Sequence, residues 1–336
     1  MTKRSLTILL ALVCLMPSPT QPISAQAAGR AWIAFVTVDY STREATISLV
    51  DPASGKIITL LKDGFFYYPM LSPDGKKIAF LGEHPRSRIQ NVYVMNTDGT
   101  NLRLLLTGRP RYKPLGQVAW SPDSSEVFYG GADGNRRTAG FFRVKLGSDM
   151  PEQVPLEGFT SFYSTWITAS PDGSRVAFNV NLEDRPYHQI IIANADGSNP
   201  QPVSATMPNG QSIDELAWSP DGQQTLLTVL MLNAIEPQPL LLGDANGANA
   251  RQLIFPPPNY INSLSWSPDG KQIAFLAPDK GDAKPDGEVW IANADGSKAH
   301  TLNIPINVQY VGTSWRVIPD DVSLPAEPIS FLDAIQ

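Results

Sequence analysis

Cysteine and histidine are almost missing from this chain. Among 336 residues there is one cysteine, Cys14, and there are three histidines. Nothing beyond residue 14 can join a disulfide or supply a catalytic thiol. A zinc-type centre needs several ligands converging on one point. His84, His188 and His300 fall in three separate stretches, with no His-x-x-x-His pair and no flanking glutamate, so neither a metal nor a cofactor is expected. Charge is sparse, at 17% of residues, and its balance is acidic, at −6. That balance is unsuited to nucleic acid. There is no phosphate-cradling glycine loop and no Gly-x-Ser-x-Gly elbow. Gly312-Thr313-Ser314-Trp315-Arg316 lacks the last glycine, which excludes serine-hydrolase chemistry of that kind. No strongly amphipathic helical stretch follows residue 20, so a helical architecture is excluded as well.

Long apolar runs are also absent, with one exception. Lys3-Arg4 precede an apolar run from Leu6 to Met16, and Ala25-Gln26-Ala27 follow. This is the pattern of a secretory signal, too short for a stable membrane anchor. Residues 1–28 are therefore expected to be a signal peptide, and the protein to be exported to a periplasm or beyond the cell, with no membrane span once the signal is cleaved. A lipoprotein signal would place a small residue directly before its cysteine, where this chain has Val13. Cleavage would move the net charge from −6 to −8, since the segment holds two of the 26 basic residues and no acid.

What the chain does have is a repeat. Ser72-Pro73-Asp74-Gly75 returns as Ser121-Pro122-Asp123-Ser124, Ser170-Pro171-Asp172-Gly173, Ser219-Pro220-Asp221-Gly222 and Ser267-Pro268-Asp269-Gly270, at steps of 49, 49, 49 and 48 residues. Proline presets φ, aspartate bonds nearby backbone N–H groups, and glycine tolerates the exit geometry, so each phrase is a tight turn. A β-rich strand follows each one, such as Ile78-Ala79-Phe80. A third strand comes next, such as Val92-Tyr93-Val94-Met95, then an Asn96-Thr97-Asp98-Gly99-type turn and a short fourth strand. Four short-linked strands per unit make one blade of a β-propeller.

The ends give the blade count. Trp32-Ile33-Ala34-Phe35 matches the second-strand phrase with no first strand before it. Ser314-Trp315 matches Ser265-Trp266 one period later and stops after a first strand. The two termini are thus expected to share a sixth blade. The predicted fold is all-β, a six-bladed propeller over 29–319, closed by N- and C-terminal strands, with a C-terminal tail at 320–336. Trp120, Trp218, Trp266 and Trp315 hold one equivalent position, where Leu71 and Ala169 stand in the other two blades. They are read as inter-blade packing.

These residues resemble the TolB-type, WD-like propeller repeat. The Ser-Pro-Asp-Gly phrase followed by an Asn/Asp-x-Asp-Gly turn is also similar to the propellers of prolyl-oligopeptidase-type peptidases. The resemblance covers residues 31 to about 316, the propeller alone, without the N-terminal domain of TolB. It implies an exported protein, since the same repeat recurs in many such proteins. It also admits carbohydrate lyases, some of which hold a histidine-bound metal on a similar repeat.

Both aspartate turns of each blade fall on one face, and the irregular loops fall on the other, where binding is usual. One constellation there is basic and aromatic: Arg86, Arg88, Arg109, Arg111, Tyr112, Lys113, Arg136 and Arg137, with Tyr67 and Tyr68 beside them. Arginines among aromatics suit carboxylates, acidic glycans or an acidic protein segment. The plainer reading is a solvated face balanced by Glu83 and Asp133. A second set lines the funnel: Gln117, Trp166, Asp214, Glu215 and Asn262. It reads either as a hydrated channel lining or as the site of a lone base. The five turn aspartates are read as turn formers, because calcium needs six or more oxygens at one point. The function expected is a monomeric, non-catalytic binding module for a protein partner or an anionic envelope polymer. A lyase or hydrolase acting on a sugar in the funnel is the alternative.

Overall fold

The computed structural model describes residues 28–39, 41–42, 44–84, 89–106, 113–132, 139–148, 150–159, 166–180, 189–203, 211–231, 239–253, 261–278, 287–302, 304 and 308–335. Residues 1–27, nearly all of the segment expected to be a signal peptide, and most irregular loops lie outside these. Three strands open the chain: β1 (Gly29–Asp39), β2 (Glu44–Val50) and β3 (Ile57–Gly64). Blade 1 holds β4 (Phe66–Leu71), β5 (Lys77–Glu83), β6 (Gln90–Asn96) and β7 (Arg103–Leu104). Blade 2 holds β8 (Lys113–Trp120), β9 (Glu126–Ala132), β10 (Ala139–Lys145) and β11 (Glu152–Val154). Blade 3 holds β12 (Ile167–Ala169), β13 (Arg175–Val180), β14 (Gln189–Asn194) and β15 (Gln201–Pro202). Blade 4 holds β16 (Gln211–Trp218), β17 (Gln224–Met231), β18 (Leu240–Asp244) and β19 (Arg251–Gln252). Blade 5 holds β20 (Asn262–Trp266), β21 (Gln272–Pro278), β22 (Gly287–Asn293) and β23 (His300–Thr301). Then β24 (Val308–Pro319) returns to the start of the chain.

Each blade is an antiparallel meander, and the first strands neighbour one another around the ring. Closure is as the spacing predicts. β24 pairs antiparallel with β1 from Gly29 opposite Pro319 to Thr37 opposite Val308, and Ile33 faces Trp315. The closing blade is therefore β24-β1-β2-β3.

The turns work as their residues dictate. In all five, the serine hydroxyl bonds the aspartate two residues on, at 2.5–2.7 Å. The residue at the fourth position donates its N–H back to the serine carbonyl. The aspartates take the backbone N–H two residues further on. The Ser121 hydroxyl, with Ser125, holds the Asp123 carboxyl below the usual carboxylate range. These carboxylates are thus engaged inside their own turns.

The one departure, Ser124 for glycine, has a local reason. Ser124 keeps the left-handed φ of 60°, and its Oγ accepts the Asp74 N–H of blade 1 at 3.1 Å. Gly75 has no such freedom. Its φ is +70°, and a Cβ there would stand 2.0 Å from the Val317 carbonyl of β24. At Gly222 the nearest atom would be 3.8 Å away. Gly75→Ala is expected to cost at least about 2 kcal/mol, and Gly222→Ala about 1, from the backbone conformation alone. Denaturant midpoints of the two variants check this, and equal losses would remove the steric argument at the seam.

The tryptophans are core, and they also tie blades together. All four are buried. Trp120 Nε1 donates to the Met70 carbonyl of blade 1 at 2.8 Å, and Trp266 Nε1 to the Ala217 carbonyl of blade 4 at 3.0 Å. Trp218 instead bonds Ala245 in its own blade at 3.0 Å. Arg175 of blade 3 lies 5.5 Å from its ring and donates to Asn246 at 2.7 Å. Apolar clusters fill the spaces between blades, for example Met70, Leu81 and Val92 against Val118, Trp120 and Tyr129.

Residues 320–335 pack against the ring. From the turn side, where Asp320 N–H meets the Ala28 carbonyl at 3.1 Å, the segment climbs the outer wall. There β25 (Ile329–Ser330) pairs parallel with Leu61 and Lys62 of β3. The helical turn α1 (Phe331–Ala334) follows and seats Phe331 between Phe66 and Tyr93. The three N-terminal strands are thus bracketed by C-terminal strands on both edges.

Candidate functional site

The two faces differ in kind. Leu71 to Lys77, Trp120 to Glu126 and their counterparts are joined by tight hydrogen-bonded turns. At the other ends of the same strands the joins are longer. Six residues separate β5 from β6 and β9 from β10, and eight separate the corresponding strands of blades 3, 4 and 5. Segments from one blade to the next reach the same face.

The basic set falls largely on those joins. Arg86, Arg88, Arg109, Arg111, Tyr112, Arg136 and Arg137 lie outside the described residues, and of Lys113 only the backbone is described. Their anchor points are described. Lys113 opens β8 opposite Ala132, the residue from which 133–138 leave. In blade 1, His84 N–H bonds the Ile89 carbonyl at 2.9 Å, which brings together the two ends of 85–88.

Tyr67 and Tyr68 are half-buried on β4. The Tyr67 hydroxyl donates to Glu83 at 3.3 Å, and its ring meets Phe65 edge-on at 5.1 Å and Tyr68 at 6.5 Å. Tyr68 has φ of 50°, an uncommon conformation for a bulky side chain. Phe66, next in line, turns the other way into the core against Phe80.

Tyr68 marks a feature that the sequence pattern did not reveal. The register of β4 on β5 slips between Tyr67 and Met70. The innermost strand slips likewise at Leu115/Val118, Ile213/Leu216 and Asn262/Ser265, and in β24 between Val311 and Trp315. β-bulges thus interrupt the innermost strand in five of the six blades, while β12 of blade 3 pairs in unbroken register over its described length. Gly116 at φ 68° and Ser263 at φ 56° belong to these bulges. A glycine or small polar residue four or three places before the tryptophan position was the available signal.

The bulges set the funnel residues. Gln117 and Glu215 both stand three places before a tryptophan, and both reach into the next blade. Gln117 Nε2 points to the Ile167 carbonyl at 3.5 Å, and Glu215 Oε2 accepts the Leu264 N–H at 3.3 Å. The Glu215 N–H freed by the bulge in β16 donates to Thr228 Oγ1, and just before β12 the Trp166 N–H donates to Asn179 Oδ1, both at 3.0 Å. Strict alternation predicts Asp214 and Glu215 on opposite sides of the strand, but their strand slips register at this point. Burial, reinforced by the Asp214 charge, pushes the Glu215 carboxyl up to about 8, against the pull of the Leu264 and Ser263 N–H groups. Asp214 and Glu215 are each half-buried, Gln117 and Trp166 are buried, and Asn262 is described in its backbone only, opposite Leu276.

No group of three or more His, Cys, Asp or Glu that could hold a metal occurs among the described residues. His84 sits at the loop side of blade 1. His300 is exposed on β23 with Nδ1 3.0 Å from the Lys298 carbonyl. The two do not converge, and His188 lies outside the described residues.

No family model and no curated protein matches the sequence. Solved structures do resemble it. TolB from Acinetobacter baumannii aligns with TM-score 0.67 at 17% identity, over 85% of this chain and 66% of that one, so the chain spans just under two thirds of that TolB. A chain of the nidogen/laminin complex aligns at 0.61 and 10% identity, over 86% and 99%. An oligogalacturonate lyase in complex with manganese aligns at 0.53 and 15%, over 82% and 81%. What is shared at such identities is the architecture, and by fold this chain is a TolB-like six-bladed β-propeller.

Proposed function

We propose that this protein is an exported, non-catalytic binding module. It presents its loop-rich face to a protein partner or an anionic envelope component. The observation that carries the reading is the division of labour between faces. The five Ser-Pro-Asp turns all sit on one side, and the longer, irregular joins of blades 1 to 5, arginine-rich in blades 1 and 2, leave from the other, where only the closing blade has a short join, Asp39 to Glu44. A rigid ring carrying variable loops is suited to recognition. Fold neighbours support it: one is a TolB, and another comes from a complex of two proteins. Export rests on the N-terminal pattern. No described helix is long and apolar enough to cross a membrane. The protein is read as a monomer.

The test compares the parent with an Arg109→Ala, Arg111→Ala, Lys113→Ala triple variant on envelope extract and on an immobilised sulfated glycan. Recovery of the bound component is expected to fall at least tenfold, as charge-assisted contacts of about 1.5 kcal/mol or more are lost. Equal recovery on both would remove the basic sector from the account.

A sugar lyase or hydrolase in the funnel is the second reading. Glu215 favours it, since a carboxyl held protonated near neutral pH is suited to general-acid work. The described histidines do not fit a manganese site, so no metal step is assigned. A glycan-cleavage screen in which the parent is active and Glu215→Gln is not would establish this reading instead.

A further inference from the structure

Arg316 stands where the other five innermost strands carry a serine, namely Ser72, Ser121, Ser170, Ser219 and Ser267. Those serines cap their turns. The closing blade has no such turn, because β24 runs on to Pro319 against Gly29. The position is released from that task and holds a long cation.

Two contacts locate its guanidinium. The Trp315 N–H donates to Ser265 Oγ of blade 5 at 2.8 Å, and so points away from β1. In an antiparallel ladder the N–H and C=O of one residue face the same edge, so the Trp315 carbonyl also faces the ring interior. The Arg316 Nη1 donates to that carbonyl at 3.2 Å. Residues two apart on a strand share a side. Ser314, two before, takes the Leu71 N–H of blade 1 at 2.9 Å. Arg316 therefore lies on the axis side of β24, at the seam with blade 1, towards the end of the channel where the tight turns are.

There it has little to hold. A guanidinium carries five donors. Among the described residues it makes that single bond, and none of their carboxylates pairs with it. Arg143, by contrast, pairs with Glu152 at 3.0 Å. Protein crowds Arg316, and burial alone draws its pKa below the ordinary arginine value. A partly buried cation without a counter-charge is costly, and a planar fork with open donors fits an oxoanion.

The geometry points to a binding site for one small oxoanion, a carboxylate, phosphate or sulfate, at the turn-side end of the channel, with Arg316 as its ligand. The site is separate from the loop-rich face, and it stands or falls independently of any partner there.

Calorimetric titration with acetate, citrate, inorganic phosphate and sulfate at constant ionic strength tests it, alongside thermal unfolding of the parent, Arg316→Met and Arg316→Lys. The parent is expected to bind at least one anion saturably below about 10 mM, with a matching rise in Tm. Arg316→Lys keeps the charge but loses the fork, and should bind about tenfold more weakly. Arg316→Met should show no saturable binding, and in anion-free buffer it should be at least as stable as the parent. No saturable binding by the parent, or equal binding by Arg316→Met, overturns the proposal. So does a methionine variant clearly less stable without anion, since the guanidinium would then be a structural strut.

Discussion

Replacing Phe331 with alanine is expected to cost the protein about 3–5 kcal/mol, the range for an aromatic removed from a core. Phe331 is 0% exposed, although only five residues follow it. Its ring meets Phe66 at 5.0 Å and Tyr93 at 5.1 Å, both edge-on, and Phe80 stacks on Tyr93 at 5.7 Å. The cluster joins the closing blade to blade 1. A fall in Tm of roughly 5–10 °C follows, whereas Leu332→Ala, at 45% exposure, should stay within about 0.5 kcal/mol. A second readout is independent of stability. The Tyr93 hydroxyl is buried, and burial pushes its pKa up to about 12. Opening the site to water should bring that phenol back towards 10 in an alkaline absorbance titration. A variant with the parent's midpoint and the parent's titration would show that the segment does not share the core. The same segment covers an edge. The outermost strands of blades 1 to 5 have two or three residues each, but β3 has eight. A long open edge invites pairing with another chain. Truncation after residue 321 should therefore add self-association to the loss of stability.

The residues that announce the ring are those whose role is local and repeated. Ser-Pro-Asp-Gly makes its turn with its own atoms, so its period gives the blades. Trp315 matching Trp266 one period later gives the closure, and β24 lies on β1 accordingly. Phe331 is different. Its segment has no counterpart elsewhere in the chain, and its partners, Phe66 and Tyr93, are more than 200 residues away in sequence. No local periodicity encodes such a contact. The bulges were hidden for another reason. A bulge inserts one residue into an otherwise alternating pattern, so Asp214 and Glu215 read as an ordinary strand until the register of β16 on β17 is known. The basic sector was legible as composition only, because loop direction follows no strand period.

Glu215→Gln is expected to flatten the pH dependence of stability between about pH 5 and 8, and to make the protein more stable than the parent at pH 8. The sign follows from the proton count. Burial pushes the folded carboxyl up to about 8, whereas the unfolded one keeps the ordinary glutamate value of 4.5. Between those values the folded state holds a proton that the unfolded state has released, so stability falls as pH rises. This contribution is full below 4.5 and lost above 8. Glu215 keeps some contact with channel water, which screens it, so about 2 kcal/mol is a suitable scale for the parent's loss across the window. The turn aspartates act in a separate, lower window. Asp123 is held below its usual range by Ser121 and Ser125, so its contribution is present at neutral pH and disappears in acid. Gln117 shows that an amide is tolerated at the equivalent position of blade 2, where it spans to blade 3. Glutamine at 215 would keep an oxygen for the Leu264 N–H and remove the charge. Urea unfolding at pH 5, 6.5 and 8 measures the effect. Parallel slopes for parent and variant would mean that the proton sits elsewhere, and the general-acid reading of Glu215 would lose its support with it.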